Sequence, residues 1–148
     1  MDQAKIDRVL PRMRTKRVGG CMKWELDGSI GSSTAAFRRP FANGRQGSLY
    51  FEDGFLQEKV RSLAARGYLV SAHAIGERAI EQLVDCYEQS EGRHRIDHCE
   101  FPAPDTLPRL YRMKPYVTVQ PGYAWVDKRY LHGYERVLDA QMIRSEER

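Results

Sequence analysis

No stretch of this 148-residue chain approaches the ~20 consecutive apolar residues that a membrane-spanning helix requires. The opening segment, MDQAKIDRVLPRMRTKR, has no apolar core of the kind a secretory leader carries. Cysteine is scarce and odd in number: Cys21, Cys86 and Cys99 form no C-x-x-C pair. That pattern argues against a disulfide scaffold and for a reducing, cytoplasmic setting. Also missing are a G-x-x-x-x-G-K-[ST] phosphate loop, zinc-finger spacing, an RNP-like run and a heptad seam. The net charge of +4 and pI of 9.0 reflect an early basic cluster: Lys5, Arg8, Arg12, Arg14, Lys16 and Arg17. Without those companion motifs the cluster reads as a solvated helix end. Neither nucleic acid nor a membrane is therefore an expected partner.

What is present is ordinary globular composition, 41% apolar and 30% charged, in one domain's worth of chain. Ile6, Val9, Leu10 and Met13 recur at helical spacing, but Pro11 predicts a short helix. After the glycine pair, Cys21 to Leu26 reads as a strand. Residues 27–48 then read as a long loop with glycines at 28, 31, 44 and 47, and loops of that length are functional or disordered. Phe55, Leu56, Val60, Leu63 and Ala64 predict a helix capped by Gly67. YLVSAHA reads as a strand. Ala79, Ile80, Leu83, Val84 and Tyr87 form one face of the next helix, which Gly92 closes. HRIDHCE, DTLPRLYRM and YVTVQPGYAW read as strand, helix and strand, with Pro121 stopping the last. Strands and helices alternate every 22–25 residues or so, the pattern of serial βα units around a parallel sheet.

Such sheets carry their chemistry at the carboxyl ends of the strands. His73 and His98 both fall there, 25 residues apart in consecutive units, as does Gln120. A lone histidine is usually structural, but two at equivalent positions can share a metal, and neutral imidazole suits zinc. His94 would lie at the far end of its strand and His132 in a polar tail, so neither is a candidate. Lys23, between Met22 and Trp24, is costly to bury charged. It can snorkel, pair with Glu25 or Asp27, or lose its charge and take up carbon dioxide as a metal-bridging carboxylate. Asp27 opens the glycine-rich loop, either capping a turn or reaching a ligand. Glu100 is either a surface acid or an orienting partner for His98. Cys86 and Cys99 are expected in the core.

KWELDGSIGSSTAAF, HAIGERAIEQLVDCYE, RHRIDHCE and VTVQP, in that order across residues 18–122, resemble the serial motifs of amidohydrolase family 3. That group includes metal-dependent hydrolases of the N-substituted formamide deformylase type. The resemblance implies a (β/α)8 barrel holding one or two divalent ions, zinc foremost. It implies hydrolysis of amide-type C–N bonds in small molecules by metal-bound hydroxide. His73 and His98 would be ligands from the fifth and sixth strands and Lys23, possibly carboxylated, from the fourth. Lys23 and Asp27 would be catalytic, with Asp27, Gly28, Ser29 and Gln120 lining the substrate pocket.

The chain departs from the family pattern at several points. It has no H-x-H pair, and nothing after Trp125 matches the eighth-strand aspartate. Ser33 stands where the family often has arginine, and Glu77 where it often has aspartate. A complete barrel takes ~250 residues. The expected architecture is thus a partial (β/α)8 barrel, roughly strands four to seven with their helices. Full activity is not expected of the chain alone. Alternatives are a metal-dependent deaminase and a non-catalytic remnant that binds ligands or self-associates through its open sheet edges.

Overall fold

The computed structural model describes residues 3–12, 17–19 and 24–120. A first helix, α1 (Gln3–Val9), tightens into a 3-10 turn over Leu10–Arg12, where Pro11 denies the helix an N–H donor. Then come β1 (Arg17–Gly19), α2 (Asp53–Ala65), β2 (Leu69–Ala74), α3 (Glu77–Glu88), β3 (Arg95–His98), α4 (Leu107–Met113) and β4 (Tyr116–Thr118). The four strands are parallel and ordered β1-β2-β3-β4, so each βα unit lies beside the one before it.

β1 lies earlier than expected. Its pairing runs from Arg17↔Leu69 to Gly19↔Ser71, taking in the first of the two glycines read as a breaker. Of the expected strand at Cys21 to Leu26, residues 21–23, Lys23 included, lie outside the described residues. Its end does run beside β2: Glu25 and His73 form a parallel bridge, His73 N–H donates to Trp24 O at 2.8 Å, and Leu26 N–H donates to His73 O at 3.1 Å.

Alternation sorts the strands into two faces. Val70, Ala72, Ala74 and Ile96 bury against α2 and α3, where Leu56, Val60, Leu63, Ile80, Leu83 and Val84 complete the main core. Phe55 departs from its expected place and is 41% exposed. The helix it belongs to ends as its sequence suggests, with Gly67 at φ +76° immediately after the Arg66 cap. Gly92 does not close α3, which ends at Glu88 with Gln89 as its cap. In α4, Pro108 sits in the first turn, where a missing donor costs nothing.

The long loop is ordered. Ile30, Ala35, Phe37 and Phe41 bury with Ile75 and Phe101 in a second apolar cluster. Arg38 ties the loop to its neighbours through a two-pronged contact with Asp105 at 2.8 and 3.0 Å and an ion pair with Glu81 at 3.2 Å.

Candidate metal centre

β2 and β3 run in register, with Ala74 opposite His98. β3 stops at His98 because His98 (φ +74°) and Cys99 (φ +51°) both turn into left-handed backbone, which side chains other than glycine rarely adopt. Pairing survives the turn: Cys99 N–H donates to Ala74 O at 3.0 Å, and Phe101 N–H to Ile75 O at 3.1 Å. The turn leaves the His98 ring 4.5 Å, centroid to centroid, from that of His73, edge to face.

Each imidazole is fixed by oxygens on one side. His73 Nε2 lies 3.0 Å from Gly28 O and 3.3 Å from Asp27 Oδ1. Both are acceptors only, so Nε2 carries the proton and the lone pair of the neutral ring falls on Nδ1. His98 Nδ1 lies 2.9 Å from Gln120 Oε1 and 3.9 Å from Glu100 Oε1, which places its proton on Nδ1 and the lone pair on Nε2. Metal-binding histidines are oriented in this way, by an N–H anchored to oxygen.

The carboxylates divide by environment. Asp27 is buried and accepts three backbone bonds: from Ala36 N–H (2.9 Å) and Gly76 N–H (2.8 Å) at Oδ2, and from Ile75 N–H (3.1 Å) at Oδ1. Burial opposes the charged form of His73, but Asp27, the Gly28 carbonyl and Glu25 outweigh it and raise its pKa above the ordinary value. Burial likewise raises Glu100 above the usual carboxylate range, against the pull of His98 and His73. Cys99 is half-buried against the main core, its thiol pushed up to about 12 by burial. Ser29 exchanges hydroxyl contacts with Ser32 at 2.9 Å, in the loop beside Gly28. His94 belongs elsewhere: buried at the other end of β3, it accepts from Val70 N–H at 3.1 Å and contacts Ser90 Oγ at 2.9 Å.

The donor set makes part of a shell. Among the described residues no three His, Cys, Asp or Glu side chains come together as a metal site. The His73–His98 pair fits as two imidazole ligands of one ion, and zinc takes three or four protein ligands. Asp27 has its oxygens committed to backbone donors, and Glu100 approaches the protonated side of His98.

A polar layer that the sequence did not lead us to expect lies on the same sheet face as His73. Asp97, opposite His73 in register, is buried between Arg95 (Nη2 to Oδ2, 3.1 Å) and the Thr118 hydroxyl, which donates to Oδ1 at 2.7 Å. The signal was there in RIDH, whose alternation sends Arg95 and Asp97 to the face opposite Ile96.

A parallel sheet with ordered loops and two tautomerically fixed imidazoles at its carboxyl edge defines an α/β protein of the kind that works at strand ends. The chain belongs to the amidohydrolase family, family 3, which matches residues 11–145. It is 29% identical over 114 residues to YtcJ of Bacillus subtilis (strain 168), a protein that bears an amidohydrolase name, covering 73% of this chain and 22% of that one. It is 27% identical over 113 residues to LONG AFTER FAR-RED 3 of Arabidopsis thaliana, covering 70% and 19%. Its fold is similar to part of uncharacterized metal-dependent hydrolases from Pyrococcus furiosus (TM-score 0.76, 22% identity, 95% of this chain and 31% of that) and Pyrococcus horikoshii OT3 (0.76, 23%, 95% and 30%). The chain thus spans about a fifth of its curated relatives and under a third of these structures.

Proposed function

We propose that the chain forms part of a (β/α)8 barrel, strands four to seven, in a metal-dependent amidohydrolase that cleaves C–N bonds of small amide-type molecules such as N-formyl or N-acyl amines. The observation that carries this reading is the pair of imidazoles on consecutive strands, 4.5 Å apart, each with its N–H anchored to oxygen. His73 and His98 would hold a divalent cation, zinc by ligand chemistry, with Lys23 as a further ligand. Such an ion acidifies water and polarises a carbonyl. Gly28 touches His73 and Gln120 touches His98, and with Ser29, next in the chain, they would line the substrate side. Glu100, neutral over a wider pH range than an exposed carboxyl, orients His98 and offers a proton near the site.

The test is elemental analysis of the purified chain, wild type beside His73→Ala/His98→Ala. Near-stoichiometric zinc that disappears in the double variant is the expected result. Metal retained by the double variant overturns the assignment. Substrate class is tested separately, by release of free amine from N-formyl and N-acyl amines; ammonia from a cyclic amidine instead indicates a deaminase.

A further inference from the structure

We propose that Asp27 is a positioning residue: its carboxylate fixes the His73 tautomer and locks the 27–48 loop to the turn between β2 and α3. It is not the acid or base that a carboxylate at a site mouth suggests.

The lone pairs of the Asp27 carboxylate are occupied. A carboxylate offers about four acceptor positions. Three are filled by the N–H groups of Ala36, Ile75 and Gly76, at 2.8–3.1 Å. The His73 Nε2 edge at 3.3 Å faces the remaining one. Those partners come from different places: Ala36 from the loop, Ile75 and Gly76 from the turn that leads into α3, His73 from β2. One buried side chain therefore joins a candidate metal ligand to the loop that flanks it. At Gly76 an added Cβ would lie 2.5 Å from Ala36 O, so loop and turn are in backbone contact at this point. Gly28 O and Asp27 Oδ1 together hold the His73 proton on Nε2; without the carboxylate, Gly28 O is the one acceptor left there, set against any donor placed at position 27.

Asparagine cannot reproduce this. Its amide has one acceptor oxygen and one NH2 group. With the oxygen left to Ala36 and Gly76, the NH2 confronts the Ile75 N–H and His73 Nε2. Asp27→Asn should therefore shift His73 toward the Nδ1–H form, carrying the proton to the nitrogen a metal would need. The inference rests on the metal-site reading for what His73 does, but the tautomer is measurable without any metal.

The experiment is imidazole 15N NMR on the metal-free chain, at a pH where the ring is neutral, with amide exchange at Ala36, Ile75 and Gly76 and a zinc competition titration. In wild type we expect Nε2–H at His73 and protected amides. In Asp27→Asn we expect the Nδ1–H form to gain, the Ile75 amide to lose protection while Ala36 and Gly76 keep more of theirs, and zinc affinity to fall about 10–100-fold. A dominant Nδ1–H form in wild type overturns the proposal even if the variant does not fold. So does Asp27→Asn with an unchanged 15N pattern. Absence of zinc binding in wild type defeats the metal-site reading alone, and the tautomer and amide results still decide the role of Asp27.

Discussion

At the scale of single residues, His73 and Glu100 make the metal-free protein sensitive to pH in the same direction. Desolvation works against a charged His73, yet its oxygen partners prevail and raise its pKa above 6.5. The folded state therefore binds that proton more tightly. The stabilisation is complete below about 6.5 and fades as pH rises through the folded value. Burial raises Glu100 above 4.5, so its folded form also holds a proton longer and stability falls as pH climbs from there. Urea denaturation of the metal-free chain should show stability declining across both ranges. Glu100→Gln should flatten the lower limb and His73→Gln the upper. A profile unaltered by either substitution would contradict both assignments. The two histidines were readable in the sequence because they recur at strand ends. Their approach was expected of two ligands to one ion, but the backbone that produces it was not, because nothing in HRIDHCE announces left-handed conformation at two consecutive residues other than glycine. Strain of this sort costs on the order of 1–3 kcal/mol per residue and persists where the surroundings enforce it. His98→Gly should thus relax the backbone while removing the ring, and lose metal with less loss of stability than His98→Ala.

Among the elements, α2 and α3 were the most legible, since apolar residues at three- and four-residue spacing line up on one face only when the chain is helical. Leu83 in α3 is fully buried, and Leu83→Ala should cost about 2–5 kcal/mol, read as a shift in the urea midpoint. The strands were harder. β1 is three residues long and ends in glycine, so neither length nor β-branching marks it. β4 does carry the β-branched signal, but it is exposed along its length, which alternation alone does not foretell. The loop of 27–48 read as functional or disordered from its length and glycines; it is ordered, and Gly47 is required there by close approach. A Cβ at Gly47 would lie 1.7 Å from Ala35 O. Gly76, with an ordinary extended φ of −78°, is likewise fixed by space alone. Gly76→Ala should cost about 1–3 kcal/mol and raise amide exchange at Ala36, because the obstacle is backbone and cannot turn aside.

For the molecule as a whole, a bound cation would join two successive strands, so its effect should appear in global stability. Zinc at 100 times its dissociation constant adds about 2.7 kcal/mol. For a chain of this size that is a rise in Tm of roughly 5–11 °C at about 2–4 °C per kcal/mol. Differential scanning calorimetry should show the rise in wild type and none in His73→Ala/His98→Ala. The βα alternation that made the sheet readable also governs how it is built. Among the described residues strand order in space equals strand order in sequence. Asp27, His73 and His98 sit on three successive units and leave the ribosome in that order. Each can settle against a neighbour already in place. Assembly can thus follow synthesis, the anchor arriving first, the ring it orients second, and the ring's companion last.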